Sequence, residues 1–358
     1  MYIPGHESGS VIEGSIPEVS HIPISIGSTQ GRCLMGSGGW DHSASTARSQ
    51  TRSARSVQET VLQDFTQTRE SRIHPGMHPN GLVFRESRDS VEHPKSRAII
   101  GSLDITQSMQ GLPPLLARET LPQLMAGVLP ILPDAQLCFM AFGDADDGHN
   151  YQGPWQVGQF ESSDELADAW LTRIWLQGSA GSSPCESADL ILYTAARLTR
   201  IDCHEKRGEK GYLFILTDDT CRDYVCAATV NKWLGRQELD ENVSIEAIIQ
   251  EAAEKYHIFV LIPDQARAVQ MRGGERVIDH YRRRIGNGAI ALGGYQDTSI
   301  VAAMLIGLTE GAYNMSNVDH ELRTRYGKSG DELNRLLMIL RPYAESLPKT
   351  PLIVDLPV

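Results

Sequence analysis

The sequence of 358 residues contains no apolar run that approaches the ~20 residues needed to span a membrane as a helix. Its first residues also lack the basic-then-apolar order of a secretory signal peptide. The six cysteines include no CxxC pair, and the simplest interpretation is a protein with reduced thiols. We therefore expect a cytoplasmic protein that does not insert into a membrane.

The chain also lacks an excess of basic residues. It has 33 Lys and Arg against 45 Asp and Glu, which gives a formal net charge of -12. Residues 1–97 contain ten of each sign, so the whole acidic excess lies after residue 97. Nucleic acids and anionic membrane surfaces attract basic proteins. The sequence therefore predicts that the folded region binds neither nucleic acid nor membrane.

Composition divides the chain into four parts. Residues 1–56 are rich in Ser, Gly and Pro and have no sustained apolar periodicity. They predict a disordered tail, because such a segment cannot bury enough apolar surface to offset its conformational entropy. Residues 57–97 are interpreted as a strap that packs on the domain and begins with a short helix. The domain itself is expected at 98–312, followed by a C-terminal helix and tail at 313–358.

Strand and helix signals alternate within this domain. Nearly continuous apolar runs predict strands at 97–103, 136–142, 211–217, 256–262 and 288–292. Apolar residues at helical spacing predict helices at 115–129, 163–176, 186–200, 223–235, 244–255, 297–309 and 329–345. Continuously apolar strands are typical of parallel sheets that are covered on both faces. The pattern predicts an α/β fold with a doubly wound, mostly parallel sheet flanked by helices.

The most informative motif follows the first predicted strand. It reads Asp104-x-Thr106-x-Ser108, and alternate positions on a loop that leaves a strand can direct their oxygens at one centre. Such hard, sparsely charged oxygens suit Mg²⁺, with Mn²⁺ or Ca²⁺ as alternatives. Short Asp/Ser/Thr clusters also form turns and helix N-caps. The motif alone therefore leaves a metal site and a local cap as open alternatives.

Two further strand ends carry oxygen ligands. The loop before the helix at 186–200 supplies Ser182 and Ser183. Asp218 directly follows the strand at 211–217, with Asp219 as its neighbour. In a doubly wound sheet, ligands bind beyond the carboxyl ends of the strands, where the strand order reverses. The agreement of three loops favours a metal site over a cap.

These three loops, in this order, resemble the metal-ion-dependent adhesion site of von Willebrand factor A domains, written Asp-x-Ser/Thr-x-Ser. Segments beyond the site look like a bacterial and phage branch of the same family: Arg85-Glu-Ser-Arg-Asp-Ser, Trp155-Gln-Val-Gly-Gln-Phe-Glu and Arg207-Gly-Glu-Lys-Gly-Tyr-Leu-Phe. The resemblance covers residues 65–310. It implies a Rossmann-like von Willebrand factor A domain.

The resemblance also implies ligand roles, in which hydroxyls bind the metal directly and carboxylates bind it through water. The implied set, hydroxyls first, is Thr106, Ser108, either Ser182 or Ser183, Asp104 and Asp218. The chain departs from the family at Gln107, where Gly is common, and in having adjacent serines where many members have Thr. An ion held in this way keeps an open position for an Asp or Glu from a protein partner.

For two acidic residues the sequence also supports expectations about structure and stability. Glu186 either contacts the site or stabilises the N-terminus of the following helix through its dipole. Asp104, taken as a carboxylate in a surface cleft, is expected to contribute little to the stability of the fold.

Function follows from the implied site. The resemblance implies a Mg²⁺-dependent protein-interaction module whose partner is an AAA+ ATPase or another component of a bacterial or phage assembly. The alternative is a metal-dependent hydrolase or phosphoryl-transfer enzyme that uses Asp104 and Asp218. The sequence has no GxSxG, P-loop or GxGxxG motif, and no histidine adjoins the Asp104 motif as a general base. We therefore predict a binding protein and not an enzyme.

Overall fold

A six-stranded sheet forms the centre of the structure, a computed structural model that describes residues 38–65, 73–109, 111–145, 153–176 and 185–348. The described strands are β1 (Arg85–Ser87), β2 (Arg97–Asp104), β3 (Ala135–Phe142), β4 (Trp155–Val157), β5 (Thr199–Ile201), β6 (Gly211–Leu216), β7 (Tyr224–Val225), β8 (Val243–Ser244), β9 (Tyr256–Ile262), β10 (Met271–Arg272), β11 (Glu275–Arg276) and β12 (Ala289–Ala291). The central sheet has the order β12-β9-β6-β2-β3-β4. All its neighbouring pairs are parallel except β3 with β4.

Helices cover both faces of this sheet. The described α-helices are α1 (His42–Ser53), α2 (Val57–Asp64), α3 (Leu112–Leu115), α4 (Leu121–Val128), α5 (Asp164–Thr172), α6 (Ala188–Arg197), α7 (Asp202–Arg207), α8 (Ala227–Leu234), α9 (Ile245–Lys255), α10 (Gln265–Ala268), α11 (Val277–Ile285), α12 (Thr298–Thr309), α13 (Met315–Thr324) and α14 (Gly330–Ser346). One π-helical turn joins α3 to α4 at Leu116–Thr120. The prediction of a doubly wound, mostly parallel α/β fold is confirmed.

Burial explains why the apolar runs form central strands. Every residue of β3 and β6 is buried, which requires cover on both faces of the sheet. Helix α12 is buried along all its length except its last residue and packs against α4 and α14. At Gly127 of α4, a Cβ atom would lie 2.8 Å from the Cβ of Ala303 in α12. The absence of a side chain at Gly127 therefore permits the close approach of these two helices.

The order of the strands creates one point of reversal. The chain passes from β2 to β3 on one side of the sheet, whereas β6, β9 and β12 follow on the other side of β2. The carboxyl ends of β2 and β6 therefore border a crevice, which is where ligands bind in open α/β sheets. This crevice receives the loops that begin at Asp104 and Thr217.

The predicted disordered tail at 1–56 is wrong for its last part. Residues 1–37 lie outside the described residues, but residues 42–53 form helix α1. The side chain of Asp41 caps this helix by accepting hydrogen bonds from the backbone N–H groups of Ser43 (2.8 Å) and Ala44 (3.0 Å).

Helix α1 was missed because polar contacts attach it to the domain. The guanidinium of Arg52 is buried and donates a 2.7 Å hydrogen bond to Asp168 of α5. Arg48 pairs with Asp164 of the same helix. An apolar periodicity cannot reveal a helix whose contacts are ion pairs with residues more than 100 positions away.

The strap at 57–97 and the C-terminal part at 313–358 contain elements that were not predicted. The strap at 57–97 contains α2, a 3₁₀ turn at Pro75–Met77 and β1. Helix α13 was not predicted within 313–358, and the expected final tail lies outside the described residues after position 348. Within the described part of the chain, no helix is both long enough and apolar enough to cross a membrane.

Candidate metal centre

Asp104 ends strand β2 and is completely buried. Its Oδ1 accepts hydrogen bonds from the backbone N–H (2.9 Å) and the hydroxyl (2.6 Å) of Thr106. Its Oδ2 accepts a 2.9 Å hydrogen bond from the hydroxyl of Thr217, which follows strand β6. The premise that Asp104 is a carboxylate in a surface cleft is therefore wrong, because it is buried and joins the loops of two strands. A local turn or helix cap would not include the bond to Thr217, which lies 113 residues away in the sequence.

Ser108 links the same two loops a second time. Its hydroxyl donates a 3.0 Å hydrogen bond to Oδ1 of Asp218. The hydroxyl of Tyr295 donates a 2.8 Å hydrogen bond to the carbonyl of Ser108 and so holds the first loop from the far side. Four of the predicted site residues therefore lie together at the crevice: Asp104, Thr106, Ser108 and Asp218. Ser182 and Ser183, the predicted ligands of the second loop, lie outside the described residues.

The hydrogen-bond directions matter for cation binding. The hydroxyls of Thr106 and Ser108 both direct their hydrogens at carboxylates. A hydroxyl that donates its hydrogen in this way keeps its lone pairs for another contact, such as a hard cation. The carboxylates of Asp104 and Asp218 thus orient the hydroxyls, as carboxylates behind metal ligands commonly do.

Acidic side chains are concentrated and buried at this crevice. Asp218, Asp219, Asp144 and Glu186 are each less than a tenth exposed, as Asp104 is. Burial raises the pKa of Asp104, and the neighbouring charge of Asp218 raises it further. Burial and the surrounding carboxylates likewise raise the pKa of Glu186 far above its usual range. A bound cation would relieve the repulsion that these shifts express.

Two partly exposed arginines border the acidic group. Nε of Arg267 lies 3.5 Å from Oδ2 of Asp218, and Nε of Arg272 lies 3.3 Å from Oδ2 of Asp219. Both arginines come from the segment that follows β9. Arg222 pairs with the buried Asp144 at 3.0 Å. The crevice is therefore acidic at its base and basic on one flank.

The donor set fits a hard cation only if hydroxyls take part. Within the described residues, no three His, Cys, Asp or Glu side chains form a group that could hold a metal ion by themselves. The crevice does present the hydroxyls of Thr106 and Ser108, together with a buried carboxylate oxygen, Oε2 of Glu186, that has no hydrogen-bond partner in the described part of the chain. Hydroxyl and carboxylate oxygens are the donors that Mg²⁺, Mn²⁺ and Ca²⁺ prefer.

Three residues that reach the crevice from later strands were not predicted. Tyr295 follows β12, and Arg267 and Arg272 follow β9. The one feature that could have indicated them is their position after predicted strands, because the carboxyl ends of all parallel strands lie at one edge of the sheet. Nothing in the local sequence distinguishes these three side chains from exposed loop residues.

Solved structures that resemble the chain include two forms of the pilus adhesin SpaC from Lactobacillus rhamnosus GG. The open conformation superposes with a TM-score of 0.38 and 7% sequence identity, over 66% of this chain and 31% of the adhesin. The second form superposes with a TM-score of 0.37 and 8% sequence identity, over 61% of this chain and 31% of the adhesin. A von Willebrand factor type A protein from Catenulispora acidiphila superposes with a TM-score of 0.36 and 10% sequence identity, over 66% of this chain and 51% of that protein.

The chain therefore spans between about a third and about half of the length of these structures. Superpositions at these TM-scores and identities carry no argument about function. No protein-family model and no curated protein matches the chain.

Proposed function

We propose that this protein is a Mg²⁺-dependent protein-interaction module of the von Willebrand factor A type. The observation that carries the proposal is the pairing of hydroxyls with buried carboxylates at the reversal point of the sheet, where Ser108 donates to Asp218 and Thr106 donates to Asp104. This arrangement agrees with the resemblance of the three loops to a metal-ion-dependent adhesion site.

In this proposal the hydroxyls of Thr106 and Ser108 hold the cation, with Ser182 or Ser183 from the second loop. Asp104 and Asp218 orient these hydroxyls and bind through water. When bound, the cation offers an electrophilic position to a carboxylate of the partner. The chain's own contribution is to keep the hydroxyls oriented and the neighbouring carboxylates close to the ion.

The flank of the crevice supports an acidic partner segment. Arg267 and Arg272 lie beside the third loop and are more than a third and about a third exposed, respectively. A partner that presents one carboxylate to the cation brings further acidic groups within reach of these guanidiniums. By family analogy the partner is an AAA+ ATPase or another component of a bacterial or phage assembly.

The enzyme alternative has less support in the geometry. A hydrolase that used Asp104 as a base would have to do so against the three hydrogen bonds that this carboxylate already accepts from Thr106 and Thr217. Of the other titratable groups, His280 contacts the sulfur of Cys221 at 3.3 Å and Glu275 at 3.5 Å, and no described hydrogen bond joins it to Asp104. We therefore propose a binding role.

The test is capture of a partner from the native host in Mg²⁺ and in chelator. Wild type is expected to capture a specific protein in Mg²⁺ and to release it on chelation, whereas Asp218→Asn should capture none. Asp331→Asn, which removes an exposed carboxylate on α14, serves as the control and should behave as wild type. Capture that is indifferent to chelator and to Asp218→Asn would overturn the proposal. So would Mg²⁺-dependent hydrolysis of nucleotides, phosphomonoesters or peptides that is lost in Asp218→Asn.

A further inference from the structure

Glu186 stands at the end of the second loop, two residues before helix α6 begins. Its backbone N–H donates a 2.9 Å hydrogen bond to the carbonyl of Thr220 in the third loop. The next N–H, that of Ser187, donates a 3.0 Å hydrogen bond to the carbonyl of Gly143, just after β3. The backbone of Glu186 is therefore fixed between the exits of β3 and β6, beside the candidate metal centre.

One carboxylate oxygen of Glu186 is buried without a hydrogen-bond partner in the described part of the chain. Only 7% of the residue is exposed, and Oε2 has no hydrogen-bond donor within the described part of the chain. No Lys, Arg or His of the described residues forms an ion pair with it. Besides burial, the charges that most raise its pKa are the carboxylates of Asp104, Asp144, Asp218 and Asp219, of which the last three each also pair with an arginine. Buried carboxylates are normally paired or coordinate a metal, so this one requires an explanation.

The structural interpretation of Glu186 as a helix N-terminal carboxylate does not account for this arrangement. The N-cap of α6 is Ser187, and no N–H of the first turn donates to the side chain of Glu186 in the described contacts. A carboxylate that acts through the helix dipole is normally solvated or bonded to those N–H groups. Here the repulsion from neighbouring carboxylates raises the pKa of Glu186, and either a proton or a bound cation can relieve that repulsion.

We propose that Glu186 is a cation-binding residue of the candidate metal centre and supplies a carboxylate to a hard divalent cation from the second loop. This inference rests on the proposed function, since it concerns the same centre, but it assigns a residue that the Asp-x-Thr-x-Ser motif does not contain. A further carboxylate neutralises more of the charge of the ion, so the positive flank formed by Arg267 and Arg272 becomes more important for attracting an acidic partner.

The proposal makes opposite predictions for the cation-free and the cation-bound protein. Glu186→Gln keeps the shape of the side chain and prevents it from becoming the charged carboxylate that a cation would bind. Without cation, the variant is expected to unfold at the same temperature as wild type or at a higher one, because repulsion among the carboxylates is relieved. With cation, its dissociation constant for Mn²⁺ or Mg²⁺ should rise about tenfold or more, as when groups around a metal are lost. Glu186→Asp should recover part of the affinity.

The experiment uses the full chain, stripped with chelator and then titrated with MnCl₂, MgCl₂ or CaCl₂. Cation binding is measured by calorimetry and by the rise in unfolding temperature. Glu165→Gln is the matched control, because Glu165 is an exposed carboxylate in the first turn of another helix, α5. This control should bind cations as wild type does.

The outcomes separate the inference from the proposed function. Wild-type affinity in Glu186→Gln would overturn the inference, as would a clear loss of stability of that variant without cation, which a structural role predicts. If wild type captures its partner in Mg²⁺ while Glu186→Gln binds Mg²⁺ equally well, the inference fails and the proposed function stands. If Glu186→Gln loses cation binding but no partner is captured by wild type, the inference stands and the proposed function fails. A wild-type chain that binds none of the three cations would overturn both.

Discussion

Ser108 donates a hydrogen bond of 3.0 Å to Asp218, which joins two loops that are 110 residues apart in the sequence. The bond spans the crevice between the carboxyl ends of β2 and β6. Since Ser108 is exposed and Asp218 is buried, the serine hydroxyl presents a surface oxygen that an internal carboxylate orients. The bond therefore places a hydroxyl of the first loop beside a carboxylate of the third loop within the candidate metal centre.

Ser108→Ala tests that relationship directly. The variant should lower the affinity for Mg²⁺ by about tenfold or more, because it removes an oriented oxygen from the centre. The cost to the free energy of unfolding without cation should be only about 1 kcal/mol, the usual value of one hydrogen bond. Calorimetric titration and urea unfolding of the same samples measure the two effects. An unchanged Mg²⁺ affinity would remove Ser108 from the centre.

Asp104 is expected to behave differently, because it has a structural and a binding role together. Asp104→Ala leaves the N–H and hydroxyl of Thr106 and the hydroxyl of Thr217 without their acceptor. Each unsatisfied buried group costs about 1–3 kcal/mol, which relief of the repulsion with Asp218 offsets only in part. We expect a clear loss of unfolding free energy in chelator, together with loss of cation binding. Asp104→Asn, which retains an acceptor oxygen, should restore stability but not binding; a stable Asp104→Ala would contradict this account.

The attachment of helix α1 depends on Arg52 and Asp168. Arg52→Ala leaves the carboxylate of Asp168 without its guanidinium, and the loss of unfolding free energy should be about 2–3 kcal/mol, below the range for fully buried pairs. Hydrogen exchange should show faster exchange in residues 42–53 than in the central strands. Thr51→Ala, on the exposed side of the same helix, is the control. Equal effects of the two variants would mean that the ion pair does not hold α1.

The central strands could be predicted because their residues are apolar on both faces, so runs such as 136–142 need no knowledge of the rest of the fold. The proximity of Asp104 and Asp218 followed from topology, since both end strands at the reversal point. Helix α1 could not be predicted, because the contact of Arg52 that attaches it to the domain is with Asp168, which is 116 residues away in the sequence. Tyr295 likewise reaches the centre by a hydrogen bond to Ser108, which is 187 residues away in the sequence, and no local sequence pattern indicates such a contact.

His257 predicts an acid sensitivity of the fold that is separate from the metal centre. It lies in β9, with its ring 5.3 Å from that of Tyr212, and burial together with the charges of Lys210 and Arg97 lowers its pKa from 6.5 to about 4. The unfolded chain therefore binds a proton that the folded chain does not bind between these pH values. The free energy of unfolding should consequently fall as the pH falls from 6.5 towards 4.

His257→Gln removes this proton uptake, so its unfolding free energy should fall less steeply than that of wild type over the same range. Urea unfolding at pH 7.5, 5.5 and 4.5 measures the difference. His320→Gln, at an exposed position on α13, is the control and should follow wild type. Parallel profiles of wild type and His257→Gln would contradict the assignment.

Arg267 and Arg272 should have opposite effects on the cation and on the partner. Both guanidiniums lie beside carboxylates of the third loop, so they compete with a cation for the charge of Asp218 and Asp219. The double variant Arg267→Gln/Arg272→Gln should therefore bind Mg²⁺ as tightly as wild type or more tightly. Its association with an acidic partner should slow by about tenfold at low salt, because removing charges at the rim of an interface chiefly affects the association rate.

The dependence on salt distinguishes this role from a structural one. The difference in association rate between wild type and the double variant should shrink as the ionic strength rises, because exposed charges are screened beyond about 10 Å at 0.1 M salt. Arg341→Gln is the control, because it removes an exposed positive charge on α14 that is not in the segment after β9. This variant should leave both the Mg²⁺ affinity and the association rate unchanged. Weaker Mg²⁺ binding by the double variant would show that the arginines support the centre structurally. A partner association that slows equally at all salt concentrations would show that they contact the partner without attracting it over a distance.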